Sequence, residues 1–205
     1  MLSVFSAAPF MLFLILIPLS PILAFSTSSN NNSMKPYIDP THGVKIQYPS
    51  DWKLVERGDN DYHMLNVIVE FLQPGQNNYY NPNISASHNS LRLSVEDYST
   101  FEDTQDNTIT GDQLQNIGNN RIGSIGISCP GFDLNSYIRN ATLAGSPAYQ
   151  IGFDYSYLDN HKKATEIWTI KDNKVYIINY VANEKVYDTT LPVVQKMIES
   201  FQITI

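Results

Sequence analysis

The densest group of chemically capable side chains in this sequence is a run of carboxylates between residues 96 and 106. It comprises Glu96, Asp97, Glu102, Asp103 and Asp106. Several hard carboxylate oxygens in one loop can collect Ca²⁺. The run lacks the glycine of the sharp turn and the closing glutamate of an EF-hand loop, so a solvated acidic loop is the preferred interpretation. Calcium or small-molecule binding through Glu102, Asp103 and Asp106 is therefore kept as a hypothesis.

No other pattern of nucleophiles, acids or metal ligands indicates catalysis. The sequence contains no nucleophile elbow, no phosphate-cradling glycine loop and no zinc-binding HExxH motif. The single cysteine, Cys129, has no Cys or His nearby in the sequence and is predicted to be a small buried or half-buried residue. The four histidines stand singly at no metal-ligand spacing: His42, His63, His88 and His161. We expect no catalytic residue and no enzyme activity; a hydrolase with an unrecognised site is the alternative.

A segment rich in Asn, Tyr, Gly and Pro, residues 73–88, is the predicted interaction surface. Its composition cannot bury enough apolar area to fold by itself. Tyr79 and Tyr80 are the aromatic side chains in it that could anchor a protein partner, and a passive surface loop is the alternative.

The elements that must support these loops centre on residues 148–182. Tyr149, Ile151, Phe153 and Tyr155 alternate with polar or small residues, which predicts a half-buried strand over 148–157. Residues 165–170 and 175–182 are predicted as two further strands, joined by a tight turn at 171–174 whose central residues tolerate positive φ. Both faces of 175–182 carry apolar groups, so this strand should be central.

Helices are predicted before and after this three-stranded unit. The later one is expected to begin with a cap at Asp188 or Thr190, with Pro192 in its first turn, and the earlier one to cover 110–125 and fray at Gly118 and Gly123. Further strands or extended segments are predicted at 43–48, 52–55, 65–72, 89–98 and 132–141, with a turn at 145–147. The predicted class is α+β, with helices packed on the faces of an antiparallel sheet.

The first 34 residues contain no Lys, Arg, Asp or Glu, and residues 4–25 form a nearly continuous apolar run. Residues 1–26 are interpreted as a signal peptide cleaved after Ser26, or as a retained membrane anchor. Residues 27–36 read as a flexible polar linker and residues 37–205 as one domain. The domain is expected to be exported, and Asn31, Asn83 and Asn140 each begin a glycosylation acceptor pattern.

The formal net charge of −7 lies entirely beyond Met34, and no basic stripe is present. This argues against nucleic acid as a partner and against charge-driven docking on anionic lipid. Membrane contact is expected only through the N-terminal segment.

Short motifs resemble the PsbP-like family. The segment GVKIQYPSDW at 43–52 resembles the family's opening pattern G-x-x-hydrophobic-x-Y-P-x-x-W, and GSPAY at 145–149 resembles the entry to its central hairpins. Residues 175–182 resemble its strand pattern, and Ser200-Phe201 its closing Ser-Phe. The resemblance covers residues 37–205.

The resemblance implies a PsbP-like α/β/α sandwich with a central antiparallel sheet and helices on its faces. It also implies a non-catalytic binding role, although the fold hosts several functions. The chain departs from the plant photosystem subunit in having no basic N-terminal docking region, so a photosystem role is disfavoured. The sequence thus predicts an exported or membrane-anchored protein that binds an unidentified protein partner or assists a membrane complex. The matched motifs are structural and carry over no catalytic or metal-binding residue.

Overall fold

The computed structural model describes residues 33–56, 66–75, 88–98 and 111–204. The chain divides into two units, Met1–Asn31 and Asn32–Ile205, of which the first lies outside the described residues. The second contains ten strands and two helices among its described residues. They are β1 (Met34–Asp39), β2 (Val44–Pro49), β3 (Lys53–Glu56), β4 (Val67–Leu72), β5 (Ser90–Asp97), α1 (Gly111–Ser128), β6 (Asp133–Leu143), β7 (Ser146–Tyr157), β8 (Asn160–Lys171), β9 (Lys174–Asn183), α2 (Glu184–Glu199) and β10 (Gln202–Ile203).

The three consecutive strands β7, β8 and β9 confirm the predicted meander. Each pairs antiparallel with the next. The turn between β8 and β9 has Asp172 and Asn173 at its centre, with φ of 50° and 59°. These two residue types tolerate the left-handed conformation that a two-residue hairpin demands, so the sequence predicted this turn for the right physical reason.

The strands form two antiparallel sheets rather than the single sheet expected. The larger sheet has the order β3-β4-β5-β9-β8-β7-β6, and the smaller has the order β1-β2-β10. Strand β9 lies between β5 and β8, which confirms its predicted central position.

Alternate side chains of the central strands enter two different apolar clusters. Tyr176, Ile178 and Tyr180 of β9 belong to the first, together with the small sheet and residues of α2. Val175 and Ile177 belong to the second, together with Leu114 and Ile117 of α1. Because successive side chains of β9 point to opposite faces of the sheet, this one strand contributes to both apolar clusters.

Both predicted helices exist, with different bounds. Helix α2 begins at Glu184, one turn before the predicted caps Asp188 and Thr190, and Pro192 is inside the helix and not in its first turn. The early start places Tyr187 in the first cluster, where its ring stacks on that of Tyr180 at 5.1 Å. Burial of this aromatic ring outweighs the capping preference.

Helix α1 runs unbroken from Gly111 to Ser128, through the two glycines at which it was predicted to fray. Gly118 is buried against the sheet, and Gly123 lies in the exposed part of the helix. Packing of the apolar side of α1 sustains the helix across both positions.

Two short strands and one turn differ from the sequence prediction. Strand β1 begins at Met34, so Met34 to Pro36 are strand residues where the end of the linker was expected. Strand β10 is only two residues long and pairs with Val44 and Lys45 of β2. The turn into β7 is centred on Ala144 and Gly145, with φ of 51° and 76°, one residue before the predicted 145–147.

The described residues therefore show an antiparallel, sheet-rich fold with two helices. The three-layer α/β/α sandwich with helices on both sheet faces stays a prediction. In the described part of the chain, neither helix is long and apolar enough to cross a bilayer.

Candidate partner-binding surface

Most of the site residues predicted from sequence lie outside the described residues. This holds for both proposed aromatic anchors, for three carboxylates and for two of the glycosylation acceptors: Tyr79, Tyr80, Glu102, Asp103, Asp106, Asn31 and Asn83. Asn140 is described and lies exposed in β6. Glu96 and Asp97, at the start of the acidic run, end β5.

Glu96 is a half-buried strand residue and not part of a solvated acidic loop, which corrects that interpretation for this position. Its Oε1 lies 3.5 Å from Nη1 of Arg121. Burial raises the pKa of the Glu96 carboxyl, although Arg121 acts in the opposite direction. The carboxylate of Glu96 is therefore paired with the guanidinium of Arg121.

Arg121 is the only basic residue of α1, and it joins the helix to the sheet. Its Nε donates to Oε1 of Glu166 at 2.5 Å and its Nη2 to Oε2 at 3.0 Å, while Nδ2 of Asn179 donates to the same Oε2 at 3.1 Å. Burial would lower the pKa of Arg121, but the two carboxylates raise it on balance, so the guanidinium stays charged. The result is a bidentate ion pair with the Glu166 side chain only 3% exposed.

A second charged group lies on strands β4 and β5. Oε1 of the fully buried Glu70 accepts from Oγ of Ser90 at 2.8 Å and from Nε of Arg92 at 3.0 Å.

Lys162 on β8 is 2% exposed, and burial, reinforced by the charge of Arg92, lowers the pKa of its ammonium to about 8. This pKa would suit a proton-transfer group if a substrate could reach it.

Two surface grooves are lined by described residues. The larger surface groove, about 560 Å³, lies between the end of α2, β10 and the Ala144–Gly145 turn. The smaller, about 290 Å³, lies between α2 and strands β6 to β8. Neither groove is lined by the charged residues under α1. The ion pairs of Arg121 join α1 to β5 and β8, and the ion pair of Arg92 joins β5 to β4, so these charges hold elements of the fold together.

The smaller groove holds polar side chains that also contact one another. The hydroxyls of Thr165 and Tyr187 are hydrogen-bonded, and Nζ of Lys163 lies 3.8 Å from Asp188. Among the residues that the structure describes, no set of three or more His, Cys, Asp or Glu side chains could hold a metal ion. The smaller groove is therefore polar, and its described side chains do not form a metal-binding site.

Strand β6 is the most exposed regular element of the described chain. It forms one edge of the large sheet, and eight of its eleven residues are exposed. Leu134 and Ile138 are large apolar residues at 38% and 42% exposure. The pairing with β7 shifts register between Leu134 and Ser136 and again between Ile138 and Ala141. Such bulges blunt an edge against addition of another strand, so the exposed side chains of β6 are its available binding features.

Sequence reasoning missed the Arg121 clamp and the exposure of β6. A signal for the clamp existed, because a lone arginine in an otherwise uncharged stretch of helix implies a specific acidic partner. The identity of that partner, 45 residues away, required the fold. The exposure of β6 also had a signal, since polar or charged residues occupy six of its eleven positions, and the sequence reasoning did not use it.

Comparisons with known proteins are consistent with this architecture. The structure aligns with the solution structure of cyanobacterial PsbP (CyanoP) from Synechocystis sp. PCC 6803, with a TM-score of 0.55 and 15% identity over 88% of this chain and 98% of that one. It also aligns with LpqN, a Mycobacterium tuberculosis protein involved in cell envelope biogenesis, with a TM-score of 0.50 and 18% identity over 84% of this chain and 91% of that one. No curated protein matches the chain. The PsbP family model matches residues 32–203, which confirms the resemblance read from the short motifs. The chain belongs to the PsbP family.

Proposed function

We propose that this chain is an extracytoplasmic, non-catalytic PsbP-family domain that binds a protein partner or assists a membrane complex. The observation that carries the proposal is the outer strand β6, which presents Leu134 and Ile138 to solvent at the edge of the large sheet. Because eight of the eleven residues of β6 are exposed, these apolar side chains are accessible to a partner protein.

A binding role fits the buried charges better than a catalytic role. Arg121 and Glu166 neutralise each other, and Glu70 is hydrogen-bonded to Ser90 and Arg92. A general acid or base must approach the group it protonates to hydrogen-bond distance. Buried groups engaged with one another support a rigid scaffold that presents a surface.

The extracytoplasmic location is supported by two separate observations. The first 34 residues carry no charge and include a long apolar run. LpqN, which shares the fold, is described as involved in cell envelope biogenesis. Intact mass and cell fractionation of the native protein test this part: a chain beginning near Thr27 outside the cytoplasm, or a full-length chain in the membrane fraction, is expected. A full-length chain in the cytoplasm would contradict it.

Site-specific photo-crosslinking tests the binding role. A benzophenone amino acid placed at Ile138 of the full chain, expressed in the source cells, should form an adduct with a discrete protein. Gln195, an exposed position on α2, is the matched control and should form none. Equal crosslinking at the two positions, or none at either, would contradict partner binding through β6.

A further inference from the structure

The tip of the hairpin between β7 and β8 carries a leucine in an unfavourable conformation. Tyr157 pairs with Asn160, which leaves Leu158 and Asp159 as a two-residue loop. Their φ angles are 43° and 61°, as a type I′ turn requires. Leucine has no side-chain group that hydrogen-bonds its own backbone, and a bulky residue at positive φ is strained.

Two other hairpins with two-residue loops in the described part of this sheet show which residues this position can take. The β8–β9 turn uses Asp172 and Asn173, both of which tolerate this conformation. The β6–β7 turn uses Ala144 followed by Gly145, and Ala144 packs against the first apolar cluster. Leu158 is not a residue type that tolerates positive φ, and it is not buried, since its side chain is 72% exposed. A residue that is costly in backbone conformation and unburied in the free domain indicates a role outside the domain.

Two further exposed apolar residues flank the turn that this hairpin contacts. The backbone of Ser156 donates to the carbonyl of Pro130 at 2.8 Å, which joins this hairpin to the turn after α1. Ile127, three residues before that contact, is 90% exposed, and Leu134, four residues after it, is 38% exposed. Five large apolar residues are exposed in the described part of the chain, and Ile127, Leu134 and Leu158 are three of them. We call these three residues the hairpin corner.

The rim of the hairpin corner is acidic. Asp133 and Asp159 are exposed, and Asp133 is paired across the strands with Asp154. Residues 125–134 and 154–161 contain no Lys or Arg. Asp154 also pairs with Lys163 on β8, which offsets its charge within the domain, so the acidic side chains available to a cationic partner surface are the exposed Asp133 and Asp159.

We propose that the hairpin corner is a docking site at which Leu158 inserts into an apolar pocket, bordered by Lys or Arg side chains, on a partner protein. This inference rests on the proposed function and adds the anchor residue and the chemistry of the partner surface. The exposed leucine supplies the buried contact, and the aspartates supply orientation and long-range attraction.

The first test measures the stability of the domain without any partner. Replacing the turn by Asn-Gly, Leu158→Asn with Asp159→Gly, gives the loop the residues that a type I′ turn favours. The urea midpoint should rise above that of the wild-type protein. The matched control, Asp172→Asn with Asn173→Gly, already starts from favourable residues and should raise the midpoint less. An unchanged or lower midpoint for the Leu158 variant would overturn the view that this turn sacrifices stability for binding.

The second test measures binding of the full chain. A benzophenone amino acid at exposed Asn160 should form an adduct with one protein when the chain is incubated with membranes and soluble extract of the source cells. Unlabelled wild-type protein and the 172/173 variant should compete equally. The 158/159 variant should compete about tenfold less well or worse, as expected for loss of a central apolar anchor.

Salt provides an independent readout of the charged rim. Raising NaCl from about 0.1 M to about 1 M shortens the screening length from about 10 Å to about 3 Å and should reduce adduct formation. Mass spectrometry of the adduct should place the crosslink beside Lys or Arg on the partner. Salt-independent crosslinking, a lipid adduct or an adduct with a second copy of the chain would each overturn the inference.

Failure of the inference is distinguishable from failure of the proposed function. If the crosslinker at Ile138 captures a partner and all unlabelled variants compete equally, the binding role stands and the Leu158 anchor is refuted. If neither Ile138 nor Asn160 captures a protein, the binding role itself fails.

Discussion

Gly118→Ala is expected to destabilise this protein even though alanine is the better helix former. A Cβ built on Gly118 lies 2.7 Å from Cζ2 of Trp168 and 3.0 Å from the hydroxyl of Tyr137. Trp168 is fully buried, and its Nε1 donates to the carbonyl of Leu114 in the same helix at 3.2 Å. The indole therefore cannot move away without losing this hydrogen bond, so α1 must lift off the sheet.

The expected magnitude follows from two opposing effects. Exchanging glycine for alanine inside a helix contributes about 1 kcal/mol of stability. Overpacking a close contact costs about 1–3 kcal/mol, and a contact of 2.7 Å to a fixed ring belongs at the upper end. The net effect should be a loss of about 1–2 kcal/mol in the free energy of unfolding.

Gly123→Ala is the matched control in the same helix. Nothing lies within 4 Å of a Cβ at Gly123, so only the helix-propensity gain of about 1 kcal/mol should remain. Urea denaturation followed by circular dichroism measures both variants, with the shift in midpoint at constant slope as the readout. If Gly118→Ala matched or exceeded the wild-type midpoint while Gly123→Ala raised it, the close packing of α1 on Trp168 would be refuted.

Three further predictions concern the buried charges and the thiol. Arg121→Met should lower the free energy of unfolding by about 3 kcal/mol, because it leaves the buried Glu166 carboxylate without its cationic partner. Adding Glu166→Gln should restore part of this loss in a urea titration. No recovery in the double variant would contradict a stabilising ion pair between Arg121 and Glu166. Lys162 has a native pKa of about 8 against its usual 10.5, so the unfolded chain binds more protons between these values and wild-type stability rises there with pH. Relative to Lys162→Met, the wild-type protein should therefore gain about 2 kcal/mol between about pH 7 and about pH 10, whereas a constant difference would mean that the ammonium is not desolvated. Burial raises the pKa of the Cys129 thiol, so iodoacetamide should alkylate it several-fold more slowly in native protein than in urea, and equal rates would show an accessible thiolate.

The absence of enzyme activity stays a prediction, and Lys162 is the residue at which to test it. The lowered pKa of Lys162 is the feature closest to a catalytic signature in the described chain. Its near-complete burial, at 2% exposure, separates it from both surface grooves. A screen with ester, phosphoester and glycoside substrates would identify a hydrolase, and any activity lost in Lys162→Met would relocate the functional site to this face of the sheet.

The sequence by itself determined the parts of the fold that depend on neighbours along the chain. Alternation in β7 predicted which side chains enter one core, because successive side chains of a strand point to opposite faces. The β8–β9 turn was readable because Asp172 and Asn173 accept positive φ without help from the fold. The PsbP family was readable because its packing motifs are also local.

Only the tertiary structure decided the features that depend on distant residues. Strand β10 is too short to show a pattern, and it exists because β2 supplies its hydrogen bonds. Helix α2 starts early because Tyr187 finds a buried place beside Tyr180, which no cap in the sequence reveals. Arg121 and Glu166 are 45 residues apart, and Leu158 is conspicuous only once its φ and exposure are known. Periodicity and turn chemistry act over a few residues, whereas burial, ion pairing and exposure are set by whichever distant segments the fold brings together.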